Sequence, residues 1–184
     1  MTTDEKPKNM SLTTGKVRLS YAHVFSPHSS KPEDRPKYSV AILFPKSDQE
    51  TFKKVKAAIE AAKDQGKKTK WHGKIPASLW IPLRDGNEKG DPNYKDHWFF
   101  NAKSDHAPGI FDIDRNQILD KTEVYSGCYA RVSVDFYPYV SPDGTGRGIG
   151  VGLNAIQKLA DGEPFTSRRS HDNDFTEPVE DFLA

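Results

Sequence analysis

The sequence predicts a mainly β protein with one or two helices. About five short strands close in Greek-key fashion into a small barrel or sandwich, broken by one long insertion. Three observations predict this. Runs of alternating apolar and polar residues recur along the 184-residue chain, most clearly at 128–140. Only one stretch carries an apolar stripe at helical spacing, Phe52, Val55, Ile59 and Ala62. From 66 to 96 the chain is rich in Pro, Gly, Asp and Lys, and irregular connections of that length are uncommon unless they serve a function.

Residues 1–14 are polar and aperiodic and read as a flexible arm. Residues 16–25 (KVRLSYAHVF) set Val17, Leu19 and Tyr21 against Lys16, Arg18 and Ser20, the pattern of a half-buried strand. The next loop, SPHSSKPEDRPK, contains three prolines, which cannot donate to a ladder. Residues 38–44 (YSVAILF) are almost wholly apolar, so this strand is central. Ser47 and Glu50 form a capping box that opens the helix, and Gly66 closes it.

Beyond Gly66, KKTKWHGK sets four lysines around Trp71 and His72, and the insertion at 73–96 carries Trp80 and Tyr94. Strand patterns return at 97–103 (HWFFNAK), briefly at 109–113, and at 128–140. The turn SPDGTGRG then leads into a glycine-spaced strand at 148–156 (GIGVGLNAI).

Hydrophobic residues make up 35% of the chain and mean hydropathy is −0.76, so part of its length is loop or tail. No run approaches the ~20 apolar residues of a membrane span, and the N-terminus lacks an apolar signal region. One cysteine, Cys128, forbids an intramolecular disulfide and suits a reducing cytoplasm; zinc-finger and zinc-ribbon ligand sets are absent. The net charge of +1 conceals an asymmetry. Asp172, Asp174, Glu177, Glu180 and Asp181 lie in a C-terminal stretch without Lys or Arg, which leaves residues 1–171 with 27 basic and 21 acidic residues, a net +6.

Walker, nucleophile-elbow and zinc-protease motifs are missing, and no cofactor is implied. The enzymatic alternative rests on Asp91, Asp96, His97, Asp105, His106, Asp112 and Asp114, which could hold divalent metals for phosphodiester hydrolysis. These residues follow no ligand spacing, and Asp residues in polar loops commonly shape turns. A structural β-sandwich of a virion is the third reading.

In the strand at 128–140, Cys128, Ala130, Val132, Val134 and Phe136 form a core face. The opposite face carries Tyr129, Arg131, Tyr137 and Tyr139. Sequence-independent binders of single-stranded nucleic acid need cations for phosphates and flat rings on which bases stack. Lys16, Arg18, Phe99 and Lys103 extend the candidate surface, with Lys67, Lys68, Lys70, Trp71 and Arg147 as its walls. Pattern alone leaves this face open between binding and packing beneath the helix or the insertion. Gly148, Gly150 and Gly152 are open in the same way, between a barrel corner and a close approach by another backbone.

The segment YSGCYARVSVDFYPYVSPDGTGRGIGVGLNAIQKLADGEPF (125–165), with KYSVAILFPKSD and PGIFDID upstream, resembles a bacteriophage family of single-stranded-DNA-binding proteins long catalogued as uncharacterised. The resemblance covers most of 12–165. It implies an OB-fold barrel over 15–165 and an acidic, disordered tail over 166–184. It also implies a non-catalytic role in phage DNA replication, recombination and repair in the host cytoplasm. The tail, with Phe182 as its aromatic residue, would compete with DNA for the groove and recruit phage or host replication proteins. Oligomeric state stays open between monomer, homodimer and larger assembly.

Overall fold

Strand β3 (Lys37–Pro45) is flanked on both sides, as its apolar sequence requires: β2 (Val17–His28) pairs with one edge and β5 (His97–Ser104) with the other, both antiparallel. The structure, a computed structural model, describes residues 10–165. In chain order the remaining elements are β1 (Ser11–Thr13), α1 (Gln49–Thr69), β4 (Arg84–Asp85), β6 (Gly109–Phe111), β7 (Tyr129–Val140) and β8 (Arg147–Ala160). Short 3₁₀ turns cover Gly86–Lys89 and Pro92–Tyr94.

The five long strands pair in the cycle β7–β2–β3–β5–β8–β7, the expected Greek-key barrel, and β1, β4 and β6 extend it at β7, β5 and β8. Closure is partial. β7 and β8 share a long antiparallel ladder, but β5 meets β8 at one parallel pair, Lys103 with Gly152. The insertion bridges this seam: Trp80 N–H donates to the Arg147 carbonyl (3.0 Å), and Ile149 N–H donates to that of Trp80 (3.0 Å). Further along, β4 pairs with Phe99 and Trp98 of β5, and Lys46 Nζ holds the Asp85 carboxylate at 2.8 Å.

Inward residues follow the predicted alternation: Cys128, Ala130, Val132, Val134 and Phe136 are fully buried. They pack with Val40, Ile42, Phe44, Phe100 and Ile149, and α1 closes the barrel with Val55, Ala58, Ile59 and Ala62. Its start differs from expectation. Asp48 is the N-cap, accepting from Thr51 N–H (3.1 Å) and Thr51 Oγ1 (2.7 Å), in place of a Ser47–Glu50 box. Its end differs too, because the helix runs through Gly66 to Thr69. Gly66 serves contact instead: a Cβ there would lie 2.6 Å from the Trp71 ring and 2.7 Å from Pro138.

Residues 10–14 depart from the flexible arm expected over 1–14. Ser11–Thr13 pairs with Asp135–Ser133 of β7, and Met10 is buried. Residues 1–9 lie outside the described residues. So does 166–184, which contains the tail positions Asp172, Asp174, Glu177, Glu180, Asp181 and Phe182. Among the described residues no helix is long and apolar enough to cross a membrane.

Candidate nucleic-acid interface

The three glycines of β8 explain the tyrosines of β7. Register places Tyr139 opposite Gly148, Tyr137 opposite Gly150 and Asp135 opposite Gly152. A Cβ at Gly150 would lie 2.5 Å from Tyr137 Cζ, and one at Gly148 would lie 2.7 Å from the Tyr139 hydroxyl. Each ring therefore lies across the neighbouring strand, a posture only glycine permits. Tyr137 is 41% exposed, so the ring rests on backbone and turns its other side to solvent. Burial of its inner side, with Tyr139 and Asp105 nearby, raises its phenol pKa.

Trp80 completes this platform. The same absent Cβ at Gly148 would lie 2.9 Å from Trp80 Cβ, and the indole is 42% exposed with the Arg84 guanidinium 5.9 Å from its centre. Sequence reasoning noted Trp80 but did not include it in the site. The usable signal was a large aromatic between turn-forming residues, where no core pattern claims it.

The surface continues over the outward residues of β5 and β3. Lys103 pairs with Ser39 and Asn101 with Ala41, while Lys103 also sits beside Gly152. Two clefts lie along this line. One, of about 390 Å³, is lined by Arg84, Lys89 and Asn101 with the carboxylates Asp85 and Glu88; the other, of about 560 Å³, by Tyr21, His23, Arg35, Lys37 and Lys103 with Asp34. Among the described residues, Arg84, Lys89, Lys103 and Arg147 form no ion pair with a carboxylate, whereas Lys37 lies 3.8 Å from Asp105. Their charge is therefore available to phosphates.

Tyr21 is a second residue that sequence reasoning missed. Alternation assigns it to the core with Val17 and Leu19, but the β2–β3 register slips between Ser20 and His23. Ser20 turns inward and Tyr21 outward, 55% exposed, at φ 47°. A left-handed backbone is costly for a bulky side chain and concentrates at functional sites. Lys89 Nζ stands 4.7 Å from its ring.

Other expected contacts are corrected. Trp71 is no groove wall: it is 4% exposed, packs against Gly66 and donates Nε1–H to the Tyr139 carbonyl at 3.4 Å. Phe99 is buried beneath the insertion in a small cluster with Ala41, Leu43 and Tyr94. Arg18 is committed to the fold, its Nε donating to the Gly127 carbonyl (2.9 Å) and Nη2 to that of Glu163 (2.7 Å), with Phe165 stacked at 4.4 Å.

Tyr129 is half-buried beneath Lys16 (4.5 Å) and Arg18 (5.3 Å). It lies eight residues from Tyr137, about 27 Å along an extended strand, so the β7 tyrosines do not form one floor. Arg131, near that far end, donates to the Thr14 carbonyl (3.4 Å). Lys67 and Lys68 are exposed in the last turn of α1, with Lys70 as its C-cap. The fold brings them to the Tyr139 end of β7 through Trp71. Arg147 opens β8 opposite Val140 at that same end.

The acidic and histidine residues of the enzymatic alternative are dispersed. Asp91 accepts from Asn93 N–H, Asp112 from Asp114 and Asn116 N–H, and Asp105 faces Lys37. Among the described residues, no three His, Cys, Asp or Glu side chains are grouped to hold a metal ion.

The chain is 28% identical to a protein designated p50 of Acyrthosiphon pisum secondary endosymbiont phage 1, over 85% of this chain and 87% of the relative. Among solved structures it is similar to the single-stranded DNA-binding protein from bacteriophage Enc34 in complex with ssDNA. There the TM-score is 0.75 at 25% identity, covering 86% of this chain and 91% of the other. The fold is also that of gp2.5, the single-stranded DNA binding protein encoded by bacteriophage T7, at TM-score 0.62 and 16% identity over 91% and 94% of the two chains. Residues 10–183 match the family profile described as Enterobacter phage Enc34, ssDNA-binding protein, and the chain belongs to that family.

Proposed function

We propose that the protein binds single-stranded DNA without sequence preference and without catalysis, in phage DNA replication, recombination and repair inside the host cell. The observation that carries this is the platform of Tyr137, Tyr139 and Trp80 on the β8 glycines, continuous with the cations Arg84, Lys89 and Lys103. Rings resting on backbone offer flat faces to unpaired bases. The cations follow the phosphates, and neither group reads base edges. Family membership supports the same reading, as does the relative captured with ssDNA.

The acidic residues between Asp172 and Asp181, with Phe182, act as an intramolecular competitor for this basic groove and a docking segment for replication proteins. Deleting 172–184 tightens DNA binding; unchanged affinity removes the competitor role.

Intrinsic fluorescence titration with oligo-dT tests the reading. Saturable quenching is expected, because stacking engages Trp80 and the tyrosines directly, and labelled strands stay intact with magnesium or manganese. Absence of quenching and of a gel shift, or cleavage of the strand, refutes it.

A further inference from the structure

The cleft between the distal ends of β2 and β3 contains a feature that base stacking does not use. Register slips a second time between His23 and His28, before the strands pair again at His28 and Lys37, and the two imidazoles stack face to face with centroids 4.0 Å apart and planes 11° from parallel. Tyr21 flanks them on β2, Arg35 and Asp34 face them from the loop, Lys37 from β3 and Lys103 from β5. Lys37 also faces Asp105. The cleft therefore gathers three permanent cations around two side chains that can become cations.

We propose that this cleft is a phosphate-binding subsite at the end of the single-strand groove, in which the stacked His23–His28 pair takes up a proton as a phosphodiester binds. The inference rests on the reading under Proposed function and adds proton linkage to it. Two parallel rings in van der Waals contact resist a second positive charge, and burial followed by the neighbouring His28 lowers the pKa of His23. An incoming phosphodiester reverses that preference, since an anion beside an imidazole favours its protonated form. Protonated imidazole donates from both ring nitrogens, so the proton adds charge and hydrogen-bond capacity together. Of the side-chain types in the cleft, only imidazole ordinarily changes charge between about pH 5 and 8.

The test is oligo-dT titration of the full chain at constant ionic strength from about pH 6 to 7.5. Uptake of one proton makes affinity fall by up to about tenfold per pH unit as pH rises. A fall of about threefold to tenfold across this range is expected for the native chain, and a flat profile when both rings are replaced, His23→Gln together with His28→Gln. Independently, histidine ring NMR of the native chain should show the His23 titration moving to higher pH when oligo-dT saturates the protein.

A pH-independent affinity, an equal fall when both rings are replaced by glutamine, or a His23 titration that does not move each overturn the proposal. Should the variants fail to fold, the native-chain NMR decides alone. Failure to bind oligo-dT at every pH instead refutes the single-strand reading beneath it.

Discussion

Replacing Gly150 by alanine should impair DNA binding with little effect on stability. The new Cβ would stand 2.5 Å from Tyr137 Cζ, 2.7 Å from Cε2 and 2.7 Å from the hydroxyl, whereas ordinary contact begins near 3.4 Å. The ring must retreat by about 1 Å or swing away from β8. It is 41% exposed at the barrel surface, so it can swing into solvent without a cavity, and the stability cost should stay below about 1 kcal/mol. The lost stacking face is worth about 1–3 kcal/mol, or about 5- to 150-fold in oligo-dT affinity. Tyr137→Ala should weaken binding over the same range. Gly152→Ala is the control: its Cβ meets nothing nearer than the Asp135 carbonyl at 3.8 Å, so affinity should hold. Fluorescence titration reads affinity and thermal denaturation reads stability. Equal affinities for the Gly150 and Gly152 variants, or native affinity in Tyr137→Ala, would refute the platform.

Trp71→Ala should cost about 3–5 kcal/mol of stability, because the indole is buried against Gly66 and the core, and a melting curve checks this. Tyr94→Phe should change stability by no more than about 1 kcal/mol in a denaturant titration, since the buried hydroxyl has Ser20 beside it but no well-formed hydrogen bond. The same variant should resist alkali better. Burial pushes the Tyr94 phenol up to about 12 from 10, so its neutral form supports the fold fully below pH 10, and that support is lost as pH rises toward 12. Circular dichroism over that range checks the sign. Salt titration should give log K against log salt a slope of about −3, as expected if Arg84, Lys89, Lys103 and Arg147 each neutralise one phosphate; a flat dependence contradicts their role.

The barrel was legible because alternation and burial are the same fact in strands without irregularities: every even position from Cys128 to Phe136 is inside. Alternation failed at Tyr21, where a register slip exchanges the faces of Ser20 and Tyr21. A bulge of that kind depends on what the partner strand and insertion supply, not on β2 alone. The fate of Arg18 was hidden for a related reason: its acceptors, the carbonyls of Gly127 and Glu163, are over a hundred residues away. Trp71 read as a groove wall because its neighbours are lysines, yet Gly66, five residues earlier in α1, leaves room for its ring. The glycines of β8 and the tyrosines of β7 were each visible, but their pairing required the register between the strands.

Photo-cross-linking of oligo-dT followed by peptide mapping tests the central claim most directly. The account predicts adducts at Tyr137, Tyr139, Trp80 and Tyr21, all on the outward side of the groove from β7 to β2. Adducts confined to α1, to Tyr129 or to the β6 edge would contradict it.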